Sequence, residues 1–245
     1  MPKALITGIS GQDGWYLARQ LLREGHEVVG LTRDPERARA EFATLPAAPD
    51  LLRFDYEQDR VAPLVEAVRP DLLFNLASFA TGQGMFDDPA AMVRQNGLFV
   101  VELLEAIRHS PRRDSMALVQ ASSSEMFGTV SECPQSETTP FRPRSPYGAA
   151  KLLAHQMVGI YRHAFAVKAS SAILYNHESV RRPAAFVTRK IARAAARIRL
   201  GLQQRLELGS LEIERDWGHA PEYADAMLRM ARADVADDYV VATGR

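Results

Sequence analysis

A tyrosine and a lysine stand four residues apart in the stretch YGAAK, at Tyr147 and Lys151. Because Pro146 favours a helix start, a spacing of four places both side chains on one helix face. A lysine ammonium beside a phenol lowers the pKa of the phenol, which can then act as an acid or base near neutral pH. The pair predicts a proton-transfer centre, although a buried helix tyrosine has the same spacing by chance.

A second group of reactive side chains lies in ASSSEMFG, residues 121–128. Hydroxyls, Ser123 among them, are followed at once by the Glu125 carboxylate. A hydroxyl can orient a reacting oxygen, and a carboxylate can remove a proton from carbon. A helix-capping or surface carboxylate is the alternative interpretation of Glu125.

A glycine-rich loop, TGISGQDG, spans residues 7–14 between an apolar run and an amphipathic stretch. Its G-x-x-G-x-x-G spacing differs from the usual G-x-G-x-x-G. Glycines still let the turn close tightly and let the backbone approach a pyrophosphate at a helix N-terminus. An ordinary glycine-rich turn is the alternative. The position after the first strand favours a dinucleotide, held by Gly8, Ile9, Ser10, Gly11, Gln12, Asp13 and Gly14.

The end of the second strand bears on which dinucleotide binds. An NAD site usually has a carboxylate there for the ribose 2′-hydroxyl, whereas this chain has Arg33. A guanidinium suits a 2′-phosphate, so NADP is predicted. Asp34 could still reach a ribose, and a solvated surface arginine is the alternative for Arg33.

Strands and helices alternate around these groups. Apolar runs at 3–8, 26–33, 71–78 and 116–124 predict strands, and amphipathic stretches at 14–25, 60–70, 96–110 and 146–165 predict helices. This order predicts an α/β fold with a doubly wound, Rossmann-like parallel sheet. The pattern loosens after about residue 176, and DDYVVATGR at the end is a strand. We expect an NADP-binding domain over 1–175 and a smaller, C-terminally truncated substrate domain over 176–245.

Composition excludes several classes of function. Lysine plus arginine equals aspartate plus glutamate, at 30 each, so no net charge attracts nucleic acid or a membrane. A single cysteine, Cys133, fits a reducing compartment. No signal region or membrane-spanning run is evident. A cytoplasmic protein with no metal site is expected.

In their order along the chain, the glycine loop, the serine after a strand and Tyr-x-x-x-Lys resemble the extended short-chain dehydrogenase/reductase family. In that family the hydroxyl, tyrosine and lysine move a proton while a nicotinamide takes a hydride. A carboxylate two places after the catalytic hydroxyl is typical of its sugar-nucleotide 4,6-dehydratase branch. Further stretches, such as NHESVRR (176–182) and LGSLEIERDWGHAPEYADAM (208–227), are similar to members that act on GDP-mannose.

The resemblance implies a role for each matching position. Ser123, Glu125, Tyr147 and Lys151 would be catalytic. The cofactor would also meet Asp55, Tyr56, Leu76, Ala77, Ser78, His177 and Arg182, and the GDP-sugar would meet Asn176, Val187, Lys190 and Arg215. It implies internal hydride transfer from C4 to C6 of a nucleotide sugar, GDP-mannose first, in a homodimer or homotetramer.

Several departures leave alternatives open. NLASFATGQGMFDDP (75–89) has extra glycines where the sugar would lie, Ala91 replaces a tyrosine and Asp34 replaces an arginine. A dehydratase for another sugar such as a GDP-heptose, or a 4-keto reductase, is the nearest alternative. A non-catalytic NADP-binding protein is an alternative of another class.

Overall fold

In the computed structural model, which describes residues 1–79, 86–130 and 132–244, strands and helices alternate along most of the chain. The strands are β1 (Lys3–Thr7), β2 (Glu27–Thr32), β3 (Asp50–Arg53), β4 (Leu72–Asn75), β5 (Ala117–Ser123), β6 (Ala169–Leu174), β7 (Asn176–Glu178), β8 (Trp217–His219) and β9 (Asp238–Val241). The helices are α1 (Gln12–Arg23), α2 (Pro35–Phe42), α3 (Val61–Val68), α4 (Pro89–Val93), α5 (Phe99–His109), α6 (Pro146–Phe165), α7 (Val187–Arg199) and α8 (Ala220–Arg232). A π-helical turn, Arg94–Leu98, joins α4 to α5.

Seven strands form one parallel sheet in the order β3-β2-β1-β4-β5-β6-β9. The strand order reverses between β1 and β4, so the loops after these strands diverge and leave a crevice at their carboxyl ends. The predicted doubly wound parallel sheet is confirmed. A separate parallel pair, β7 with β8, lies outside this sheet.

Apolar side chains fill both faces of the sheet. One core includes Leu17 of α1 and Met227 of α8, and the other includes Leu103 of α5 and Val158 of α6. Burial of such side chains contributes roughly 1.5–3 kcal/mol each. The central strands are therefore rigidly held, and the residues at their carboxyl ends keep fixed positions.

Some elements were not predicted. The sequence pattern missed α2, β3, β6 and the helices after residue 176, whereas the final predicted strand is present as β9. The division at residue 175 stays a prediction, and both α8 and β9 return to the main sheet and its layers. No helix in the described part of the chain is long and apolar enough to cross a bilayer.

Candidate active site

The glycine loop turns sharply beside the end of β4. Gly8 has a φ of +67°, and a Cβ there would lie 2.8 Å from the backbone of Ala77. Only glycine combines this left-handed conformation with so close an approach. The loop thus leads directly into α1, whose N-terminal N–H groups suit a pyrophosphate.

A cavity of about 360 Å³ opens between this loop and the ends of β2 and β4. Its lining combines loop backbone, a basic rim and small apolar groups. The lining residues are Gly8, Ser10, Gly11, Leu31, Thr32, Arg33, Asp34, Arg37, Ala38, Glu41, Tyr56, Leu76, Ala77, Ser78, Phe79 and Gln95. Eight of the predicted cofactor residues are among them.

The rim of this cavity is built by the start of α2. The Asp34 carboxylate caps the helix and accepts a hydrogen bond of 3.0 Å from the backbone N–H of Arg37. Because this carboxylate is committed to the cap, it is less available to a ribose hydroxyl. The guanidinium groups of Arg33 and Arg37 both lie at the exposed rim.

A second cavity, of about 280 Å³, lies at the ends of β5 and β6 and shares Leu76 and Ser78 with the first. It gathers all four predicted catalytic residues. Its lining residues are Asp13, Leu76, Ser78, Ala121, Ser122, Ser123, Ser124, Glu125, Tyr147, Lys151, Leu174, Tyr175, Asn176, His177, Arg182 and Phe186.

Lys151 is 2% exposed, and its Nζ donates a hydrogen bond of 2.8 Å to the Ala121 carbonyl. The same Nζ lies 5.7 Å from the centroid of the Tyr147 ring. Burial lowers the pKa of Lys151 to about 8, because a buried ammonium is poorly solvated. Lys151 can therefore exchange a proton near neutral pH.

The Tyr147 phenol has a pKa above its ordinary value, chiefly because it is withdrawn from water. The negative charge of Glu125 raises the pKa further. The nearby hydroxyls of Ser78 and Ser123 and the positive charge of Arg182 lower the pKa and so oppose this rise. The direction is opposite to the lowering that the YGAAK spacing predicts, because in the protein alone burial outweighs the nearby donors.

The Ser123 hydroxyl is oriented by the turn that follows β5. Its Oγ accepts a hydrogen bond of 3.2 Å from the backbone N–H of Glu125. This leaves the hydroxyl hydrogen of Ser123 available to a substrate oxygen. The Glu125 side chain is exposed at the cavity, where a carboxylate stays accessible to a substrate carbon.

The first turn of helix α6 packs tightly against the chain segment after β5 that contains Glu125. A Cβ on Gly148 would lie 2.6 Å from the Glu125 carbonyl oxygen, a backbone atom that cannot move aside alone. Pro146 starts the helix, and the Ser145 hydroxyl caps it with a 3.1 Å bond from the Gly148 N–H. Glycine therefore lets Tyr147 approach Glu125.

We expect Gly148→Ala to destabilise the protein by about 1–3 kcal/mol, as overpacking does, and to lower its catalytic rate at least tenfold. Gly159→Ala on the same helix is the control, since its added Cβ would meet only an Arg162 side-chain atom at 4.0 Å. That control should be neutral or stabilising by up to about 1 kcal/mol. Urea unfolding and initial rates measure both effects. Equal behaviour of the two variants would contradict the close-packing argument.

An ion pair ties the glycine loop to β7. His177 Nε2 lies 3.0 Å from Asp13 Oδ2, and Nδ1 lies 2.6 Å from the Tyr175 carbonyl. Tyr223 stacks on the imidazole with ring centroids 4.3 Å apart. Burial disfavours charge on both partners, but their attraction raises the pKa of His177 and holds that of Asp13 below its usual value. Arg182 also lowers both pKa values.

This pair predicts a specific pH dependence of stability. The raised pKa of His177 contributes stability that is complete below about pH 6.5 and disappears as the pH rises through the folded value. The lowered pKa of Asp13 contributes stability that disappears only in acid. Wild-type protein should thus lose more stability than His177→Gln between about pH 6 and about pH 9. Urea unfolding across that range measures this, with the exposed His163→Gln as control, and parallel curves for His177→Gln and wild type would contradict it.

A buried hydrogen-bond network joins the two cavities, and the sequence patterns did not reveal it. The Thr7 hydroxyl donates to Asn75 Oδ1 at 2.5 Å, and the Asn75 amide donates to Gln120 Oε1 at 2.7 Å. Gln120 Nε2 then donates to the Ala121 carbonyl at 2.7 Å, the same acceptor that Lys151 uses. A lone polar residue inside an apolar strand was the available signal, because such groups are buried only when bonded.

Asn96, in the π-helical turn, is another residue that the sequence patterns missed. Its Oδ1 accepts from the Ser78 hydroxyl at 2.8 Å and from the Phe79 N–H at 3.1 Å. It thereby fixes the Ser78 hydroxyl that interacts with Tyr147. A π turn directs one side chain out of the helical register, as is frequent at functional sites.

Other predicted residues lie outside the two cavities. Ile9 and Gly14 are buried, Gln12 donates to the His177 carbonyl, and the Asp55 carboxylate accepts from the Glu57 N–H. Their cofactor roles stay predictions.

The predicted substrate residues are divided. Asn176 lines the second cavity, but Val187 and Lys190 line neither cavity, although their neighbour Phe186 does. Lys190 Nζ donates to the Glu207 carbonyl. Arg215 borders a separate cavity of about 680 Å³ with Trp217 and Tyr223.

Two further predictions concern the loop and metals. The extra glycines, at 82 and 84, lie outside the described residues, and the departure at Ala91 is a buried position in α4. Among the residues that the structure describes, no three His, Cys, Asp or Glu side chains gather as a metal site requires.

Comparisons with known proteins agree with this arrangement. Residues 5–245 match the family model described as GDP-mannose 4,6 dehydratase. A GDP-mannose 4,6-dehydratase of Sinorhizobium fredii (strain HH103) is 42% identical over 260 residues, covering 98% of this chain and 71% of the relative. The human GDP-mannose 4,6 dehydratase is 41% identical over 251 residues, covering 98% and 68%. Among solved structures, a UDP-glucose 4-epimerase of Thermus thermophilus complexed with NAD has a TM-score of 0.82 and 25% identity, covering 99% and 78%.

Proposed function

Because the chain belongs to the GDP-mannose 4,6-dehydratase family of hydro-lyases, we propose that it removes water across C5 and C6 of a GDP-sugar, GDP-mannose first. The convergence of Ser123, Glu125, Tyr147 and Lys151 on one cavity supports this most directly. The relatives' names support dehydration of a nucleotide sugar. The particular sugar is part of the proposal.

The side chains divide the work of the reaction. Tyr147 takes the proton from the sugar O4, and Ser123 donates a hydrogen bond to that oxygen. Lys151 supports the charge of the phenol. Glu125 then removes the C5 proton, which the C4 ketone makes acidic, and assists departure of the C6 hydroxyl as water. The proton from C5 thus leaves in the water, and the proton that Tyr147 took from O4 balances the one that C5 regains, giving the 4-keto-6-deoxy sugar.

A nicotinamide dinucleotide would accept the C4 hydrogen with its electron pair and return it at C6, so none is consumed. The residues present fit such a group. The glycine loop approaches β4 too closely for any side chain at Gly8, and the two cavities share the wall formed by Leu76 and Ser78. A dinucleotide along that wall would extend from the Arg33 rim toward Tyr147.

We propose NADP rather than NAD. The support is the arginine pair, Arg33 and Arg37, at the rim and the engagement of Asp34 as a helix cap. Glu41 also lines this cavity, but its carboxylate is paired with Arg181 at 2.6 Å. Arg37 Nε also lies 3.8 Å from Glu41, so the positive charge proposed for a 2′-phosphate is chiefly that of Arg33.

Arg33→Ala is expected to weaken NADP binding by about tenfold or more, since a hydrogen bond to a charged group contributes about 1.5–3 kcal/mol. NAD binding should change little. Arg39→Ala is the matched control, because this exposed arginine of α2 does not line the cavity. Calorimetric titration with both dinucleotides measures this. Equal losses for NADP and NAD would contradict the assignment.

The decisive test is incubation of the purified protein with GDP-mannose and catalytic NADP⁺, with products followed by mass spectrometry. Loss of one water without net reduced cofactor supports the proposal. Water loss only from another nucleotide sugar would show that the substrate is that sugar rather than GDP-mannose. Net consumption of NADPH with a 4-keto sugar would indicate a reductase. Tight NADP binding without turnover of any nucleotide sugar would indicate a binding protein and overturn the proposal.

The remaining proposals concern cellular location and oligomeric state. A cytoplasmic homodimer or homotetramer is proposed from the family resemblance, and size-exclusion chromatography with light scattering tests the assembly.

A further inference from the structure

A row of buried polar side chains runs beneath the catalytic cavity, between the sheet and α6. Ser122 Oγ lies 2.7 Å from Ser171 Oγ, which lies 2.8 Å from Nδ1 of His155. Their exposed fractions are 3%, 0% and 5%. Water therefore does not compete for these hydrogen bonds, which are stronger for being buried.

His155 is the centre of this row. It stands on α6 four residues after Lys151 and eight after Tyr147, so all three side chains lie along one face of the helix. Its Nε2 lies 3.7 Å from Asp238 Oδ2 on β9, and Arg162 holds that carboxylate through contacts of 3.0 Å. One imidazole thus connects α6 to three neighbouring strands, β5, β6 and β9.

The row has a direction. A hydrogen on Nε2, facing the Asp238 carboxylate, leaves Nδ1 to accept from the Ser171 hydroxyl. Ser171 in turn accepts from the Ser122 hydroxyl. Burial lowers the pKa of His155, which Asp238 raises and Arg162 lowers, and the neutral ring is the form that can accept. The Ser122 hydroxyl hydrogen consequently points away from the cavity that its residue lines.

We propose that His155 is a positioning residue for the dehydration centre, because through Ser171 and Ser122 it fixes the end of β5 against α6. Ser122 lies between Ala121, whose carbonyl accepts from Lys151, and the hydroxyl-bearing Ser123. A shift of Ser122 therefore moves the partner of the lysine and the catalytic hydroxyl together. A displacement of about 1 Å in such a group can lower a rate roughly 100-fold. The inference rests on the proposed function for its effect on turnover.

Two substitutions of similar size separate positioning from packing. His155→Asn keeps an acceptor near the place of Nδ1, whereas His155→Leu fills the space without one. We expect His155→Leu to lower kcat by about 10–100-fold with KM nearly unchanged, and His155→Asn to recover most of it. His163→Leu is the control, since this histidine is exposed on the same helix. An unchanged kcat in His155→Leu, or an equal loss in both His155 variants, would overturn the inference.

A double substitution tests whether the row acts as a unit. Ser122→Ala should lower kcat by itself, and Ser122→Ala combined with His155→Leu should lose little more than the worse single variant. If the fold-losses in kcat of the two single variants multiply in the double variant, the residues act independently, which would count against the inference.

A measurement without substrate separates this inference from the proposed function. Hydrogen–deuterium exchange of the peptide 117–126 should be faster in His155→Leu than in wild type, His155→Asn or His163→Leu. Failure of wild-type protein to dehydrate any nucleotide sugar would refute the function, while this comparison would still support the positioning role. Unchanged exchange in His155→Leu would refute the positioning role even in an active dehydratase.

Discussion

Glu125→Gln is expected to stop the reaction after its first half, which is oxidation of the sugar at C4. Glutamine keeps the size of the side chain but cannot take the C5 proton, so dehydration should fall roughly 10²–10⁴-fold. Oxidation at C4 depends on Ser123 and Tyr147 and should continue. Reduced cofactor should then accumulate toward about one equivalent per site, visible by its absorbance, together with a 4-keto sugar that retains its C6 hydroxyl.

The control is Glu102→Gln, an exposed glutamate of α5 away from both cavities. It should dehydrate at the wild-type rate. Normal dehydration by Glu125→Gln would show that another group is the base. Absence of even the first oxidation would show that Glu125 acts before C5 deprotonation and would contradict the assigned role. Unchanged NADP affinity must accompany the result, since Glu125 does not line the cavity beside the glycine loop.

Tyr147→Phe is expected to prevent the first half itself. Loss of the phenol removes the acceptor of the O4 proton, so both C4 oxidation and dehydration should fall roughly 10²–10⁴-fold. No reduced cofactor should accumulate with sugar present, which distinguishes this variant from Glu125→Gln. Stopped-flow absorbance and mass spectrometry of the products measure the two halves separately.

A second phenol on α6 provides the control. Tyr161 donates a 2.6 Å hydrogen bond to Glu105, remote from the two cavities. Tyr161→Phe should cost about 1 kcal/mol of stability and leave the rate within about twofold. A comparable loss of activity in both variants would point to helix packing rather than proton transfer.

Sequence reasoning succeeded where one local pattern determines the outcome. Continuous apolar runs located β1, β4 and β5, and Pro146 located the start of α6. It missed β6, ASSAIL, because Ser170 and Ser171 interrupt the apolar run. Both serines are buried there, since their hydroxyls bond to groups that are distant in sequence. The alternation of side-chain directions along a strand does not by itself reveal partners that are distant in sequence.

The same limit applies to the candidate site. Spacing could place Tyr147 and Lys151 on one helix face, but the direction of the tyrosine pKa shift depends on burial by other elements. The ion pair between Asp13 and His177 joins positions 164 residues apart, and no periodicity encodes it. The glycine loop predicted that Asp13 lies near a cofactor and the resemblance implied the same for His177, and the structure adds that the two residues contact each other.

Most residues that line the cavity beside Tyr147 come from two separate stretches of the chain, and Asp13, Leu76 and Ser78 come from elsewhere. The groups proposed to transfer protons come from one stretch, between Ser123 and Lys151, which is held by β5 and α6. A second set of lining residues comes from 174–186, which begins at the end of β6. We expect substitutions of Asn176, in the later stretch, to change which sugars the protein accepts while Ser123, Glu125, Tyr147 and Lys151 stay in place. For protein engineering, Asn176 is therefore the position at which to seek a new sugar preference, whereas His177 in the same stretch should be kept because it pairs with Asp13 of the glycine loop.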